Sequence, residues 1–220
     1  MELMDRARAF AALGEESRLA IIDLLALADL APSELGSRLG IPTNLMTHHL
    51  HILEQAGLIV RRRSEGDARR VYVQRTQACN QLMGAAGGLP RPHRVAFVCS
   101  HNSARSQLAE SYWRTVSDIP VVSAGTRPAD QVHPRAVTVG RRHGLDLTRA
   151  APKLAEDVLT GDELLIAVCD RAYEELHNRP LHWSIRDPAP ADSLAAFETA
   201  YYDLTSRVDL LAASLEGDPA

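Results

Sequence analysis

Apolar residues in the first third of the chain recur at helical spacing, with glycines and prolines at the points where the pattern breaks. This pattern predicts four short helices followed by two strands that a tight turn joins, as in a mainly α domain with a β-hairpin. The helices are expected over residues 3–13, 17–27, 32–39 and 42–55, and the strands over 58–63 and 70–75.

The rest of the chain alternates between short apolar runs and longer amphipathic segments, which predicts an α/β domain with a parallel sheet. Strands are expected over residues 95–98, 121–123, 164–168 and 181–185, and helices over 103–116, 134–143 and 191–215. The Gly- and Pro-rich stretch GAAGGLPRPH separates the two patterns. We therefore predict two domains, residues 1–83 and 94–220, with a linker over 84–93 and about four strands in the second domain.

Composition is that of a globular protein, since 45% of the 220 residues are apolar and 24% are charged. No apolar run approaches the roughly 20 residues that span a membrane, and the first eleven residues lack the pattern of a signal peptide. Three scattered cysteines suit neither a disulfide framework nor a zinc finger. We expect a cytoplasmic protein with no membrane partner, no metal and no bound cofactor.

Basic residues concentrate in the predicted hairpin, although the whole chain carries a net charge of −4. Residues 1–90 contain ten arginines and ten acids, and six of these arginines lie between positions 58 and 75. Helices joined by a glycine turn and followed by a basic hairpin predict a winged helix-turn-helix, whose second helix enters the major groove of DNA. The expected contacts with duplex DNA are Thr43, Asn44, Thr47, His48 and His51 on the helix and Arg61, Arg62, Arg63, Arg69 and Arg70 in the hairpin.

Two plainer interpretations compete with DNA binding. An arginine-rich hairpin is often only solvated surface, and His48 and His51 share a helical face that suggests a metal site. No carboxylate or cysteine joins these two histidines nearby, so ordinary roles in the core or in DNA contact are preferred.

The stretch from Ser17 to Val73, with the segment HHLHILEQAGLI before the arginine-rich hairpin, resembles the ArsR family of bacterial repressors. The resemblance covers most of residues 9–75 and implies a homodimer that binds two half-sites on DNA. Many members carry a Cys-x-Cys pair in the third helix for sensing arsenic or metals. The matching residues, 29–35, contain no cysteine, so metalloid sensing there is not expected.

The segment VAFVCSHNSARS is the sharpest chemical signal in the chain. It places Cys99 at the end of a buried strand, Arg105 six residues later and Ser106 at the start of a helix. Such a loop can wrap its backbone N–H groups round a tetrahedral oxyanion, and the helix N-terminus adds positive charge. The predicted cradle comprises Ser100, His101, Asn102, Ser103, Ala104 and Arg105.

Each chemical group of this loop has an expected role. The positive field favours the thiolate of Cys99, the nucleophilic form, and Ser106 donates a hydrogen bond to it. Arg105 clamps two oxygens of the anion, and Asn102 holds the loop shape. Asp187, in an Asp-Pro pair after the last strand, is the expected general acid for the leaving oxygen, although such a pair alone is usually a turn. A buried structural cysteine is the plain alternative for the loop.

Residues 94–216 resemble the low-molecular-weight protein tyrosine phosphatases and, among them, the arsenate reductases of that fold. The matching motifs are VCSHNSARS, SAGT at 123–126, VHP at 132–134, VCD at 168–170 and HWSIRDP at 182–188. The last two motifs, together with the repressor-like partner, favour the reductases.

The resemblance also has departures. Thioredoxin-linked reductases carry a first resolving cysteine where Cys169 stands and a second seven residues later, where this chain has Leu176. His101 stands where phosphatases often have glycine, and Tyr173 is the candidate for the aromatic side chain at their pocket mouth. We expect an external thiol reductant: a dithiol that reduces a Cys99–Cys169 disulfide, or a small thiol that attacks Cys99. The small thiol is slightly favoured, because a buried strand-end cysteine is commonly structural.

Three functions are compatible with these residues. The preferred one is arsenate reduction by a chain that also binds DNA as a transcriptional regulator. A phosphatase acting on phosphotyrosine or a small phosphoester needs Cys99, Arg105 and Asp187 but no second thiol. A non-enzymatic repressor would instead use Cys99 to sense an oxyanion or a redox state.

Overall fold

The computed structural model describes residues 2–84, 89–177 and 180–216, and the chain forms two compact units that divide near residue 86. Residues 85–88 of the predicted linker lie outside the described residues, so the domain limits at 83 and 94 remain predictions. Within the described ranges, no helix has the length and apolar character needed to cross a membrane.

The N-terminal unit is mainly helical and contains one β-hairpin. Its elements are α1 (Leu3–Leu13), α2 (Glu16–Leu24), α3 (Pro32–Leu39), α4 (Thr43–Gln55), β1 (Ile59–Arg63), β2 (Val71–Arg75) and α5 (Gln77–Met83). The two strands are antiparallel, with Ile59 opposite Arg75 and Arg63 opposite Val71. The predicted winged helix-turn-helix architecture is confirmed.

The helix-turn-helix forms because local signals and apolar burial agree. Gly40 ends α3 in the left-handed conformation, at φ 65°, which glycine adopts without a Cβ clash. The turn lets α4 pack its apolar face inward, so that Leu50 and Leu53 are fully buried beside Leu35 of α3. The opposite face of α4 is left to solvent.

The C-terminal unit is an α/β domain around a parallel sheet with strand order β4-β3-β5-β6. Its strands are β3 (Val95–Cys99), β4 (Val121–Gly125), β5 (Leu164–Ala167) and β6 (Leu181–His182). Its helices are α6 (Arg105–Val116), α7 (Pro134–Arg142), α8 (Ala155–Val158), α9 (Asp170–Glu175) and α10 (Leu194–Glu216). The predicted α/β class and four-stranded parallel sheet are confirmed.

Strand β3 lies in the middle of the sheet, and all five of its residues are buried. The ring of Phe97 lies 5.9 Å from Trp113 of α6 and 5.7 Å from Trp183, so helix and sheet are joined by aromatic packing. Because parallel strands end at one sheet edge, the loop after β3 opens there beside the ends of β4 and β5.

Some element boundaries differ from the predictions. Helix α2 ends at Leu24 instead of residue 27, because the chain must turn to let Leu30 pair with Val73 of the hairpin. Strand β6 stops at His182 instead of residue 185, because the chain leaves the sheet and the carbonyl of Ile185 turns to another partner. Three short helices, α5, α8 and α9, were not predicted, since their apolar periodicity is too brief to recognise.

Candidate active site

The loop between β3 and α6 surrounds the sulfur of Cys99. This side chain is buried, and its Sγ lies 3.1 Å from Oγ of Ser106 and accepts the backbone N–H of Asn102 at 3.2 Å. The sulfur therefore lies where a hydroxyl, an amide and the N-terminus of α6 all present positive charge to it. The structure brings the predicted nucleophile and the predicted hydroxyl donor into contact.

The carbonyl groups of the loop point away from the sulfur because a second segment binds them. Backbone N–H groups of Thr126, Arg127, Ala129 and His133 donate to carbonyl oxygens of residues 99, 100, 101 and 103, at 2.8–3.1 Å. A carbonyl and the next N–H point in opposite directions across a trans peptide. The N–H groups of residues 100, 101 and 104 are therefore turned to the other side, where they can donate to an oxyanion, while that of Asn102 donates to the sulfur of Cys99.

Asn102 fixes the shape of the loop. Its backbone lies in the left-handed region, at φ 47°, which asparagine tolerates better than most residues. Its buried Nδ2 donates to the hydroxyls of Ser106 and Ser123 at 2.8 and 2.9 Å. Its Oδ1 accepts from Gln107 Nε2 at 3.0 Å and from the Lys153 backbone N–H at 2.8 Å. Both donors and both acceptor positions of the amide are thus used.

Arg105 projects from the first turn of α6, and its guanidinium is held at two points. Nη1 donates to the carbonyl of Ile185 at 2.8 Å, and Nη2 lies 3.1 Å from Oδ2 of Asp187. Burial lowers the pKa of Arg105, but the negative charges of Cys169, Cys99 and Asp187 outweigh this and raise it. The guanidinium stays charged, and Asp187 is paired with its Nη2.

Cys169 lies directly beside the oxyanion loop. It follows β5, caps α9 by accepting the Ala172 N–H at 3.4 Å, and has its Sγ 3.5 Å from Oγ of Ser100. Burial raises the pKa of the Cys169 thiol, with Arg105 acting in the opposite direction and the charge of Cys99 adding to the rise. Cys169 is thus a buried thiol close enough to Arg105 and Cys99 for both charges to act on it.

A cavity opens at this sheet edge between the loop and the segment that carries Asp187. Its lining includes Ser100, His101, Arg105, Cys169, Asp170 and Asp187. His101 is exposed at this cavity, so a side chain replaces the bare backbone that glycine would leave there. Tyr173 was the predicted candidate for an aromatic side chain at the pocket mouth. Its ring stacks on the buried ring of His182, with centroids 4.1 Å apart.

Several groups that shape the site could not be recognised in the sequence. Ser123 and the Lys153 backbone reach Asn102 from 21 and 51 residues away, and the Ile185 carbonyl reaches Arg105 from 80 residues away. Ser123 lies in the SAGT motif, which supports the resemblance to the phosphatases but does not predict a contact with Asn102. Lys153 and Ile185 act through backbone atoms, which every residue type has, so their side chains do not predict these contacts.

The predicted DNA contacts of α4 form one exposed face. Thr43, Asn44, Thr47, His48 and His51 are all exposed to solvent. In the hairpin, Arg63, Arg69 and Arg70 are exposed, whereas Arg61 and Arg62 are half-buried, and Nε of Arg61 lies 3.2 Å from Glu54.

His49 lies between His48 and His51 in the sequence but on the buried side of α4. His49 is buried, with Nδ1 3.5 Å from the carboxylate of Glu15, the residue that caps α2. Among the described residues, no three His, Cys, Asp or Glu side chains are grouped so that they could hold a metal ion.

Comparison with protein families gives a match in each half of the chain. A model described as low molecular weight phosphotyrosine protein phosphatase matches residues 94–219, and a model described as helix-turn-helix domain matches residues 13–62.

Similar proteins and structures match the C-terminal half. An arsenate reductase of Bacillus licheniformis is 29% identical over 116 residues, which are 49% of this chain and 83% of the relative. A glutaredoxin arsenate reductase of Synechocystis sp. is 29% identical over 133 residues, 56% of this chain and 98% of the relative. A solved arsenate reductase in the oxidized state matches at TM-score 0.50 and 28% identity, over 56% of this chain and 99% of that one. The tyrosine phosphatase AmsI of Erwinia amylovora shares the fold, at TM-score 0.50 and 20% identity, over 57% and 94%.

Gly125 at the end of β4 offers a test of the loop geometry. A Cβ added there would lie 2.9 Å from the Ser100 carbonyl oxygen, 3.0 Å from the Asn102 nitrogen and 3.1 Å from Asn102 Cβ. Because two of these atoms are backbone, Gly125→Ala must displace the loop. We expect phosphate or sulfate binding, measured by calorimetry, to weaken by about 10-fold or more, since each hydrogen bond to a charged group that the displaced loop loses costs about 1.5–3 kcal/mol. The variant Gly14→Ala, whose added Cβ has ordinary 3.5 and 3.6 Å contacts, is the control and should bind normally.

Proposed function

Because the chain belongs to the low molecular weight phosphotyrosine protein phosphatase family, we propose that its C-terminal domain is an arsenate reductase and its N-terminal domain a DNA-binding regulator. The observation that carries the reductase proposal is the position of Cys169, which lines one cavity with Arg105 and has its Sγ 3.5 Å from Ser100, the residue next to Cys99. A phosphatase has no use for the second thiol. The names of the relatives in Bacillus licheniformis and Synechocystis support the same reaction.

In the first step, arsenate occupies the cradle of residues 100–105. The Cys99 thiolate attacks arsenic, an S–As bond forms and an As–O bond breaks. The leaving oxygen takes a proton from Asp187 and departs as water. Arg105 and the loop N–H groups stabilise the charge on the remaining oxygens, and Ser106 supports the thiolate.

In the second step, a thiolate attacks the sulfur of Cys99. An S–S bond forms, and the electron pair of the S–As bond goes to arsenic, which is reduced from the V to the III state and leaves as arsenite. We assign this attack to Cys169, because its sulfur borders the loop, although the sequence slightly favoured a small thiol. The thiol proton passes to solvent, and an external dithiol reduces the disulfide in a cytoplasmic compartment.

Replacing the nucleophile and its clamp separates binding from chemistry. We expect Cys99→Ser to abolish arsenate reduction while phosphate, sulfate and arsenate still bind, because the cradle remains. Arg105→Ala should lose both turnover and binding, because the clamp is gone. Turnover is measured with several thiol donors, and binding by calorimetry.

The same preparation also tests the alternative functions. Hydrolysis of aryl phosphates without arsenate reduction would replace the reductase by a phosphatase. Full reductase activity in Cys99→Ser would contradict both enzyme assignments and leave the sensor hypothesis.

Cys169→Ala decides how the cycle closes. We expect reduction to stop with every donor while the S–As adduct still forms once, because in the proposed cycle Cys169 attacks Cys99 and an external thiol reduces only the resulting disulfide. In the unaltered chain the rate should rise with pH above neutral, since a thiol whose pKa is raised by burial becomes a thiolate only there. Cys79→Ala is the matched control, as this buried cysteine belongs to the N-terminal unit. Full activity of Cys169→Ala with a small thiol would assign the attack to that thiol instead.

The N-terminal domain is proposed to bind duplex DNA through the exposed face of α4 and the basic hairpin. The helix-turn-helix match and the exposure of the α4 residues predicted to touch DNA support this assignment. A homodimer is part of the proposal. On α1, the side chains of Leu3, Met4 and Phe10 are 78%, 73% and 54% exposed, an apolar surface that a second copy of the chain would cover.

Neutralising the hairpin tests this assignment. The triple variant Arg61→Gln, Arg62→Gln, Arg69→Gln should weaken DNA binding for all sequences. Its plot of log affinity against log salt should be shallower by about 1 for each phosphate that an arginine no longer neutralises. Fluorescence anisotropy at several salt concentrations measures both the affinity and the slope.

The control makes the same change of charge in exposed arginines of the C-terminal unit, Arg141, Arg142 and Arg149. It should bind DNA with the normal slope. An unchanged slope in the hairpin variant would show that the hairpin does not bind phosphates.

A further inference from the structure

Residues 187–193, here called the acid loop, begin with Asp187 and lead directly into α10. The loop is folded on itself: Asp187 Oδ1 accepts the Ala189 N–H at 3.1 Å, and the Asp192 N–H donates to the Ala189 carbonyl at 3.1 Å. Asp192 has φ 37°, a left-handed conformation that costs a non-glycine residue free energy. Contacts outside the loop must therefore favour this geometry.

Arg135 of α7 makes those contacts. Its Nε and Nη2 donate to the two carboxylate oxygens of Asp192 at 2.6 and 3.2 Å, which is the two-point geometry of a guanidinium–carboxylate pair. Hydrogen bonds from Arg135 hold the pKa of Asp192 below its ordinary value, so the carboxylate is ionised at neutral pH. The far end of the acid loop is thus fixed to the start of α7.

The start of α7 is also fixed to the oxyanion loop. His133, which caps α7, donates its backbone N–H to the Ser103 carbonyl at 2.8 Å. Its ring packs on Phe197 of α10, with centroids 4.6 Å apart, and its Nε2 lies 3.8 Å from Asp192. One turn of helix therefore holds both the loop that carries the nucleophile and the loop that carries the acid.

We propose that Arg135 and Asp192 are positioning residues that keep Asp187 beside the oxyanion loop when an anion takes over the guanidinium of Arg105, to which Asp187 is paired at 3.1 Å. The inference rests on the proposed role of Asp187 as general acid. Neither Arg135 nor Asp192 lines the cavity, so their effect on substrate is indirect. A general acid works only within hydrogen-bond reach of the leaving oxygen, so a loop released at residue 192 loses proton transfer before it loses anion binding.

The ion pair is solvent-exposed, and such pairs contribute little to global stability. Removing it should therefore leave the fold intact and change the chemistry selectively. This expectation distinguishes a positioning role from a merely structural one.

The experiment compares Arg135→Ala and Asp192→Asn with Arg142→Ala in the full chain. Arg142 lies on the same helix, pairs with Glu198 of α10 and not with a residue of the acid loop, and is the matched control. We expect the first two variants to lower the single-turnover rate at saturating arsenate by about 10-fold or more. Phosphate binding should stay within about 2-fold, because the cradle and Arg105 are unaltered. Arg135→Lys keeps the positive charge but lacks the two-point geometry of a guanidinium, so its single-turnover rate should be intermediate.

A second readout keeps this inference separate from the reductase proposal. Amide hydrogen exchange over residues 187–193 should quicken in Arg135→Ala and not in Arg142→Ala. If the unaltered chain reduces no arsenate, the reductase proposal fails, and the same variants are compared in hydrolysis of aryl phosphates. Normal rates and normal exchange in both Arg135→Ala and Asp192→Asn would overturn the positioning role. A quicker exchange with a normal rate would overturn it equally.

Discussion

The candidate active site depends on the buried amide of Asn102. Its four hydrogen bonds hold a left-handed backbone in the middle of the oxyanion loop, and without that conformation the N–H of residue 102 would not reach the sulfur of Cys99. Leaving one of these buried groups unbonded would cost about 1–3 kcal/mol, which is comparable to the strain being held. The side-chain network therefore supplies the free energy that keeps the loop ready for an anion before any anion arrives.

The same preorganisation explains the electrostatics of the cavity. Because the loop carbonyls are bound from behind by the segment after β4, the anion meets N–H groups and the guanidinium of Arg105. A preformed positive cradle in a buried setting stabilises developing charge without reorganising at the moment of reaction. Burial also raises the pKa of the Cys169 thiol. The sulfur of Cys99 instead accepts the Asn102 N–H and lies 3.1 Å from the Ser106 hydroxyl, so the two thiols have different surroundings.

Local chemistry was predictable from the sequence, and long-range geometry was not. The spacing from Cys99 to Arg105 lies within one strand–loop–helix unit, so the sequence predicts the contact with Ser106 and the direction of the helix. The apolar patterns likewise predict both fold classes, since each core is built from strongly periodic segments. The early end of β6 was not predicted because Ile185 is apolar and β-branched, which is typical of a strand. Its carbonyl instead accepts a hydrogen bond from Arg105 outside the sheet. Likewise, no sequence pattern pairs Arg135 with Asp192, which lie 57 residues apart.

In the proposed reductase, selectivity for arsenate cannot come from the cradle, because phosphate and arsenate have the same charge and tetrahedral shape. Every hydrogen bond that the loop offers to one anion, it offers to the other. The difference must arise after binding: arsenic in an S–As adduct accepts the electron pair when a second sulfur attacks, whereas phosphorus in the matching adduct does not. In the proposed reaction, Cys169 beside the loop would therefore change the fate of the adduct and leave its formation alone. If Cys169 has this role, one fold can serve as phosphatase or reductase according to whether a thiol stands at the end of β5.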